Sequence, residues 1–304
     1  QRPRMRRLMI RRSRHRQRLR RGLRRAAKAL ATLLLCAACA TPPRAVPNLD
    51  YADLERDLLA VGLLRTETAP ADAPYDAADL ARNFERIALF FETEQAGAAP
   101  AEATGLNRWN TGKTIFWRFD GAPSPELEDE MRRLSVRVQL LTGLNMFRAG
   151  PGAAPNLSIG VLDSLGRAEL AEQLRRDGVE EELELLMNWT RGQDVLCMAL
   201  LSYAAPNVID AAFIFIPAEL SPLMLKSCLH EEVIQSLGLP NDDLGARPSI
   251  FNDDEEFAYL TRHDEDLLRI LYDDRLRPGM TAEEARPVVR RIIRELGLPS
   301  ASGS

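Results

Sequence analysis

The chain has 304 residues, with 40 Lys and Arg against 44 Asp and Glu, a formal charge of -4 at pH 7. That near balance hides a division: residues 1–28 hold 13 Arg and Lys28, the first acidic residue is Asp50, and everything after Lys28 carries 26 basic against 44 acidic side chains, a net near -18. So acidic a body speaks against nucleic acid as a partner, because phosphate neutralisation needs clustered Lys and Arg, while 45% hydrophobic and 28% charged residues are globular composition and exclude wholesale disorder.

Arg-rich residues 2–25 lead into Ala29-Leu-Ala-Thr-Leu-Leu-Leu-Cys-Ala-Ala38. A positive start, a short apolar run and a small-residue exit follow the order of a secretory signal; no apolar run approaches the roughly 20 residues of a membrane span. Residues 1–40 are therefore expected to make no contacts with the folded body, and the body is expected to be exported, to the periplasm or to a membrane surface. Cys36-Ala-Ala-Cys39 resembles a bacterial lipobox, with Cys36 where a branched aliphatic residue is usual. Acylation of Cys39 would tie the mature chain to a membrane through a lipid anchor; simple cleavage after Ala38 or Ala40 is the alternative. Beyond the leader, Cys197 and Cys228 form an even pair. In an oxidising compartment they are expected to bridge, the alternative being two buried thiols that never meet.

After a Pro-rich tether at Thr41–Pro47, the spacing of Leu54, Leu58, Leu59 and Val61 predicts a helix over 50–64. Thr66–Pro74 reads as a linker. Leu80, Phe84, Ile87 and Phe90-Phe91 then form the apolar stripe of a helix over 76–94, followed by a second Ala/Gly/Pro linker at Ala96–Gly105. From there strands and helices alternate: a β-branched and aromatic strand at Lys113–Phe119, a helix at Pro125–Leu141, a strand at Asn156–Leu162 and a long charged helix at Ser164–Trp189. Val195–Ser202 and Val208–Ile216 are continuous apolar strands, as expected of a sheet covered on at least one face. Ser221-Pro222 opens a helix that Gly238-Leu-Pro240 stops, and Thr281-Ala-Glu-Glu284 is a capping box for a last helix ending at Leu296. These elements predict an α+β fold, a mixed sheet backed by helices with a helical C-terminal part. They suggest a leader at 1–40, a tether and helical arm at 41–105, and a main domain at 106–298.

The helix opened by Ser221 carries Cys228-Leu-His-Glu-Glu-Val-Ile-Gln-Ser-Leu-Gly-Leu-Pro-Asn-Asp242. Read from His230 as H-E-x-x-H, it fails, because Ile234 stands where the second His should be. The chain has only His15, His230 and His263, so a three-His zinc site cannot be assembled from the exported body. Shifted by one residue, Glu231-Glu232-x-x-Gln235-x-x-Gly238-x-x-Asn241-Asp242 has the spacing of the metzincin pattern H-E-x-x-H-x-x-G-x-x-H and its following acidic residue. The sequence resembles the metzincin branch of the zincin-like metallopeptidases and, more narrowly, the bacterial domain of unknown function 2927 family (DUF2927) grouped with them. Ser249-Ile-Phe-Asn-Asp253 sits where metzincins place their Met-turn, with Phe251 at the Met position, and Leu260–Tyr272 is similar to the helix that follows it.

The resemblance implies a zincin-like fold with a long active-site-type helix over roughly 105–298, metal ligands at Glu231, Gln235 and Asn241, and a general base at Glu232. An active site of this pattern uses three His, whose neutral imidazoles bind zinc and leave a position open for water. Amide oxygens from Gln and Asn bind zinc poorly and suit a hard divalent cation such as Ca²⁺ better. Without zinc to lower its pKa, a bound water is no nucleophile at neutral pH. The expected function is therefore that of an exported, lipid-anchored envelope protein with a degenerate metzincin-type site, non-catalytic or atypical, engaging a protein or peptide ligand. An active metal-dependent peptidase is the alternative. Standing against both is a plain solvated helix end, whose carboxylates cap neighbouring turns. His230 points about 100° away from Glu231 on the helix and is expected to be structural, and Asp253–Glu256 is expected to be a solvated acidic loop.

Overall fold

The structure, a computed structural model, describes residues 5–6, 50–89, 105–178, 196–252 and 255–298. Cys39, the tether at 41–47, the linker at 96–104 and the second half of the helix expected over 164–189 lie outside the described residues. Seven strands form one sheet: β1 (Met5–Arg6), β2 (Arg108–Trp109), β3 (Ile115–Gly121), β4 (Met146–Arg148), β5 (Leu157–Leu162), β6 (Met198–Ala205) and β7 (Val208–Pro217). The order is β1-β6-β7-β5-β3-β4, with β2 paired to the first residues of β7. Every pair is parallel except the β6–β7 hairpin and the β1–β6 edge. The architecture is thus mixed α/β, with a mostly parallel sheet and seven described helices interleaved with the strands.

Period-2 alternation sorts the sheet residues onto two faces. Ile159, Val161, Ala199, Leu201, Ile214 and Ile216 enter the main core, while their neighbours Leu162, Met198, Leu200 and Phe215 enter a small second one. Helices α3 (Pro125–Thr142) and α5 (Pro222–Gln235) pack into the main core, and α4 (Ser164–Asp177) contributes Ala171 to the second. Both faces of β6 and β7 are covered, which is why these strands read as unbroken apolar runs.

The arm does not stand apart. Helix α1 (Tyr51–Ala60) lays Leu54 and Leu58 against the core, and α2 (Ala77–Ala88) buries Leu80, Phe84 and Ile87 in the same core as α6 (Arg262–Leu271) and α7 (Ala282–Glu295). An apolar stripe as pronounced as that of α2 must be buried against something, and the C-terminal helices supply the surface. Both α6 and α7 begin with capping boxes, Thr261 with Asp264 and Thr281 with Glu284. Among the described residues, no helix is long and apolar enough to cross a membrane.

Two residues of the leader also depart from expectation. Met5 and Arg6 pair antiparallel with Ser202 and Leu201 of β6. Without them β6 would present a row of unpaired backbone groups at the sheet edge, a template for any extended segment.

Cys197, at the entry to β6, is bonded to Cys228 of α5, with Cα atoms 5.9 Å apart. The bridge closes a separation of 31 residues and ties the central helix to the sheet. In the chain-entropy account, a loop of that length stabilises by about 3–4 kcal/mol. Replacing both cysteines with Ser should lower the unfolding free energy in denaturant titrations by that order, with the fold retained in the far-ultraviolet circular dichroism.

Candidate functional site

Nine consecutive residues of α5, Ser227–Gln235, are buried. A helix buried on all sides lies at the centre of its fold, and His230, Glu231, Glu232 and Gln235 are polar groups placed there. Both ends of α5 are satisfied by distant elements. At the N-terminus Ser221 makes no capping bond of its own; instead its hydroxyl and the Met224 N–H both donate to the Glu55 carboxylate of α1, an acid well placed against the helix dipole. Beyond the C-terminus the Trp109 indole donates to the Ser236 carbonyl (2.8 Å), and the Tyr272 hydroxyl donates to the Leu237 carbonyl (2.7 Å) while accepting from the Trp109 N–H. Gly238 then turns the chain at φ +112°, and a Cβ there would lie 2.0 Å from the Asn107 carbonyl oxygen. Only glycine permits that close approach.

Glu231 and Glu232 are 3% and 1% exposed. One oxygen of each and the Cys197 sulfur lie within 4.8 Å of one another, so the two carboxylates converge beside the disulfide. Gln235 is fully buried; its Nε2 donates to Asp242 Oδ1 at 3.1 Å, and its Oε1 has no hydrogen-bond partner among the described residues. Asn241 goes elsewhere. Its Nδ2 donates to the Arg86 carbonyl (2.8 Å) and its N–H to the Ile87 carbonyl (3.2 Å), capping the end of α2. The expectation that Asn241 joins Glu231 and Gln235 is corrected: the last carbonyls of α2 claim its donors, and Asp242 is the residue that returns to Gln235.

His230 faces away from this group. Its Nδ1 accepts from the Leu260 N–H (3.1 Å), which leaves the proton on Nε2 to be donated to Glu130 Oε1 of α3, also 3.1 Å away. The ring thus bridges α5, α3 and the segment before α6.

The turn after the motif is fixed by a second buried network. The Asp264 carboxylate accepts from the Ser249 hydroxyl (2.5 Å), the Ile250 N–H (3.1 Å), and both the N–H and the hydroxyl of Thr261 (2.8 Å each). Phe251 is wholly buried, and its carbonyl accepts from the Asp243 N–H, so the turn and the returning segment touch. His263 lies between Asp264 and Asn83 of α2, with no exposed surface. Ser249, Asp264 and His263 have the residue types of a nucleophile set, but all three are closed to solvent, so they act structurally. Of the acidic loop, Asp253 and Asp254 lie outside the described residues, and Glu256 is held by Arg65 and Arg247 rather than solvated.

The donor set does not fit zinc. The Cys197 sulfur is spent in the disulfide, His230 is committed at both nitrogens, and what remains at the centre is two carboxylates with an amide oxygen one turn on. Such oxygens suit hard cations.

The hydrogen bond between His230 and Glu130 carries a pH signature. The His230 hydrogen bond holds the Glu130 carboxyl down at about 2, against the opposing effect of its burial and with help from Arg133. A depressed carboxyl contributes stability that is fully present above the ordinary Glu value, about 4.3, and is lost as pH falls towards 2. Wild type should therefore exceed Glu130→Gln in stability by on the order of 2 kcal/mol at pH 7. In denaturant titrations across pH 7 to 2, that gap should close between about 4.3 and 2.

No curated protein and no solved structure matches the chain. A family described as Protein of unknown function (DUF2927) matches residues 77–291, from the start of α2 into α7, so that the site helix and the turn behind it fall within the match, while α1 with Glu55 precedes it. The chain belongs to the DUF2927 family.

Proposed function

We propose that the chain is an exported, lipid-anchored, zincin-like protein of the cell envelope whose metzincin-type site has lost its zinc chemistry and serves to bind a protein or peptide. The observation that carries this reading is the burial of Glu231, Glu232 and Gln235 on the central helix, at the positions where the metzincin pattern places ligands and base, with Asp242 returned onto Gln235. Burying polar groups at the core of a fold is costly unless they are answered or used, and the zinc-binding residue types are missing from those positions.

Export is supported by the order of the leader, with Cys39 as the acylation point, and by the Cys197–Cys228 bond, a linkage that persists in oxidising compartments. A peptide ligand is supported by β6, the antiparallel edge strand that begins one residue after Cys197 and already accepts an extended segment. Removal of the leader would vacate that edge for strand addition by another chain.

Elemental analysis of mature protein purified without chelator tests the site. Less than one zinc per chain is expected, with any tightly held metal being an oxygen-preferring divalent cation, and with no peptide hydrolysis. One zinc per chain, lost together with proteolytic activity in Glu232→Gln, would instead establish an active peptidase. Labelled palmitate should enter the chain and disappear from Cys39→Ser; its absence from wild type would remove the anchor.

A further inference from the structure

Among the described residues, one group of three metal-ligating side chains has its donor atoms within 4.8 Å of one another: Cys197, Glu231 and Glu232. A fourth belongs to it. Cys228 is bonded to the Cys197 sulfur and stands three and four residues before the two glutamates on α5, the spacing that puts side chains on one helix face. All four side chains are buried.

In the bridged protein the sulfur side of this group is inert. A cystine carries no charge and no proton to donate, so it offers the two carboxylates neither a counter-ion nor a hydrogen bond, although burying carboxylates is costly. The bond, however, forms after the chain does. Before oxidation both sulfurs are thiols, and α5 and the entry to β6 bring two sulfurs and two carboxylates to one place. Two thiolates and two carboxylates complete the four-coordinate set of a zinc site. Donors around one tetrahedral zinc stand roughly 3.3–3.8 Å apart, given bonds of about 2.3 Å to sulfur and 2.0–2.2 Å to oxygen. Donors already within 4.8 Å of one another reach that spacing by side-chain rotation, and Cα atoms 5.9 Å apart leave the sulfurs room to part. Thiolates also set the class of metal, since Ca²⁺ and Mg²⁺ take oxygen ligands instead. The zinc chemistry missing from Glu231, Gln235 and Asn241 is thus one redox step away, on a different set of residues.

We propose that, before the Cys197–Cys228 bond forms, the chain holds one Zn²⁺ ion between the two thiolates and the Glu231 and Glu232 carboxylates, and that forming the bond expels it. Expulsion follows from exchange with a disulfide oxidant. The Cys197 thiolate attacks one oxidant sulfur and releases the other as a thiolate; the Cys228 thiolate then attacks the Cys197 sulfur and releases the second. Two electrons pass from the protein sulfurs to the oxidant, and Zn²⁺ departs because the cystine no longer supplies thiolates. Zinc held in this way does not depend on what the bridged protein binds.

The full chain with Cys36→Ser and Cys39→Ser tests it, because the C-x-x-C of the leader would otherwise take metal itself. Purified without oxygen from a reducing cytosol, it should carry one zinc per chain, and oxidised glutathione should release that zinc as two thiols disappear. Co²⁺ in its place should show thiolate-to-cobalt charge transfer, lost on the same oxidation. Glu231→Gln with Glu232→Gln should weaken zinc binding at least about tenfold, a loss that even outer-shell partners cause, with the thiol count unchanged. No zinc in the reduced chain, or as much zinc after bridging as before, overturns the proposal. So does unchanged affinity in the double Gln variant. Should that variant not fold, zinc-edge X-ray absorption on the chain with both glutamates decides: two sulfur and two oxygen neighbours are expected, and a shell without carboxylate oxygen overturns the assignment.

Discussion

One carboxylate organises the surroundings of the central helix. Asp264 receives four hydrogen bonds from Ser249, Ile250 and Thr261, all in a place with no solvent contact. Two of these donors open α6, and the other two belong to the turn at 249–251. A single side chain therefore starts a helix and holds the loop that precedes it. Since the Phe251 carbonyl accepts from the Asp243 N–H, the position of the segment returning from α5, including Asp242 beside Gln235, follows from the same anchor. A buried acceptor that is fully used holds its partners strongly, because each donor released into an apolar interior stays desolvated.

The central helix divides its polar residues between two roles. His230 looks outward from the group and links three elements through both ring nitrogens. Glu231, Glu232 and Gln235 look the other way, towards the disulfide and Asp242. Adjacent residues on one helix are separated by about 100°, and that angle is enough to place bracing and the candidate site on different sides of the same turn. Neither end of α5 relies on itself: Glu55, Trp109 and Tyr272 supply what the helix termini lack.

How much of this was legible in the residues depends on the range of the interaction. Helices α1 and α2 announce themselves by the spacing of their apolar residues, strands β3, β6 and β7 by β-branched, aromatic or unbroken apolar runs, and α7 by the three-residue spacing of the Thr281–Glu284 capping box. Burial pattern is a local property and leaves a local trace. Glu55 capping a helix 166 residues away, Asn241 serving the end of α2 and Tyr272 reaching Leu237 leave none, because a side chain bonded to a distant backbone group obeys no period. The same limit applies at the site. Spacing locates Glu231, Gln235 and Asn241 along the chain, but which of Asn241 and Asp242 turns back to Gln235 is settled by the unmet carbonyls of α2. The arm at 50–89 was hidden for a related reason: amphipathicity says that α2 buries a face, without saying against which partner.

Asn83 shows what that partnership means for how the molecule comes apart. Its amide sits 3.0 Å from His263 Nε2 inside the network built on Asp264, and both side chains are wholly buried. Detaching α2 would strand an imidazole in an apolar interior and open the core beneath Phe84 and Ile87 at once. An arm that fails only at the cost of the interior it leans on does not fray by itself. Among the described residues, α2 and the C-terminal helices share one core, and that shared interior couples the opening of one to the opening of the other.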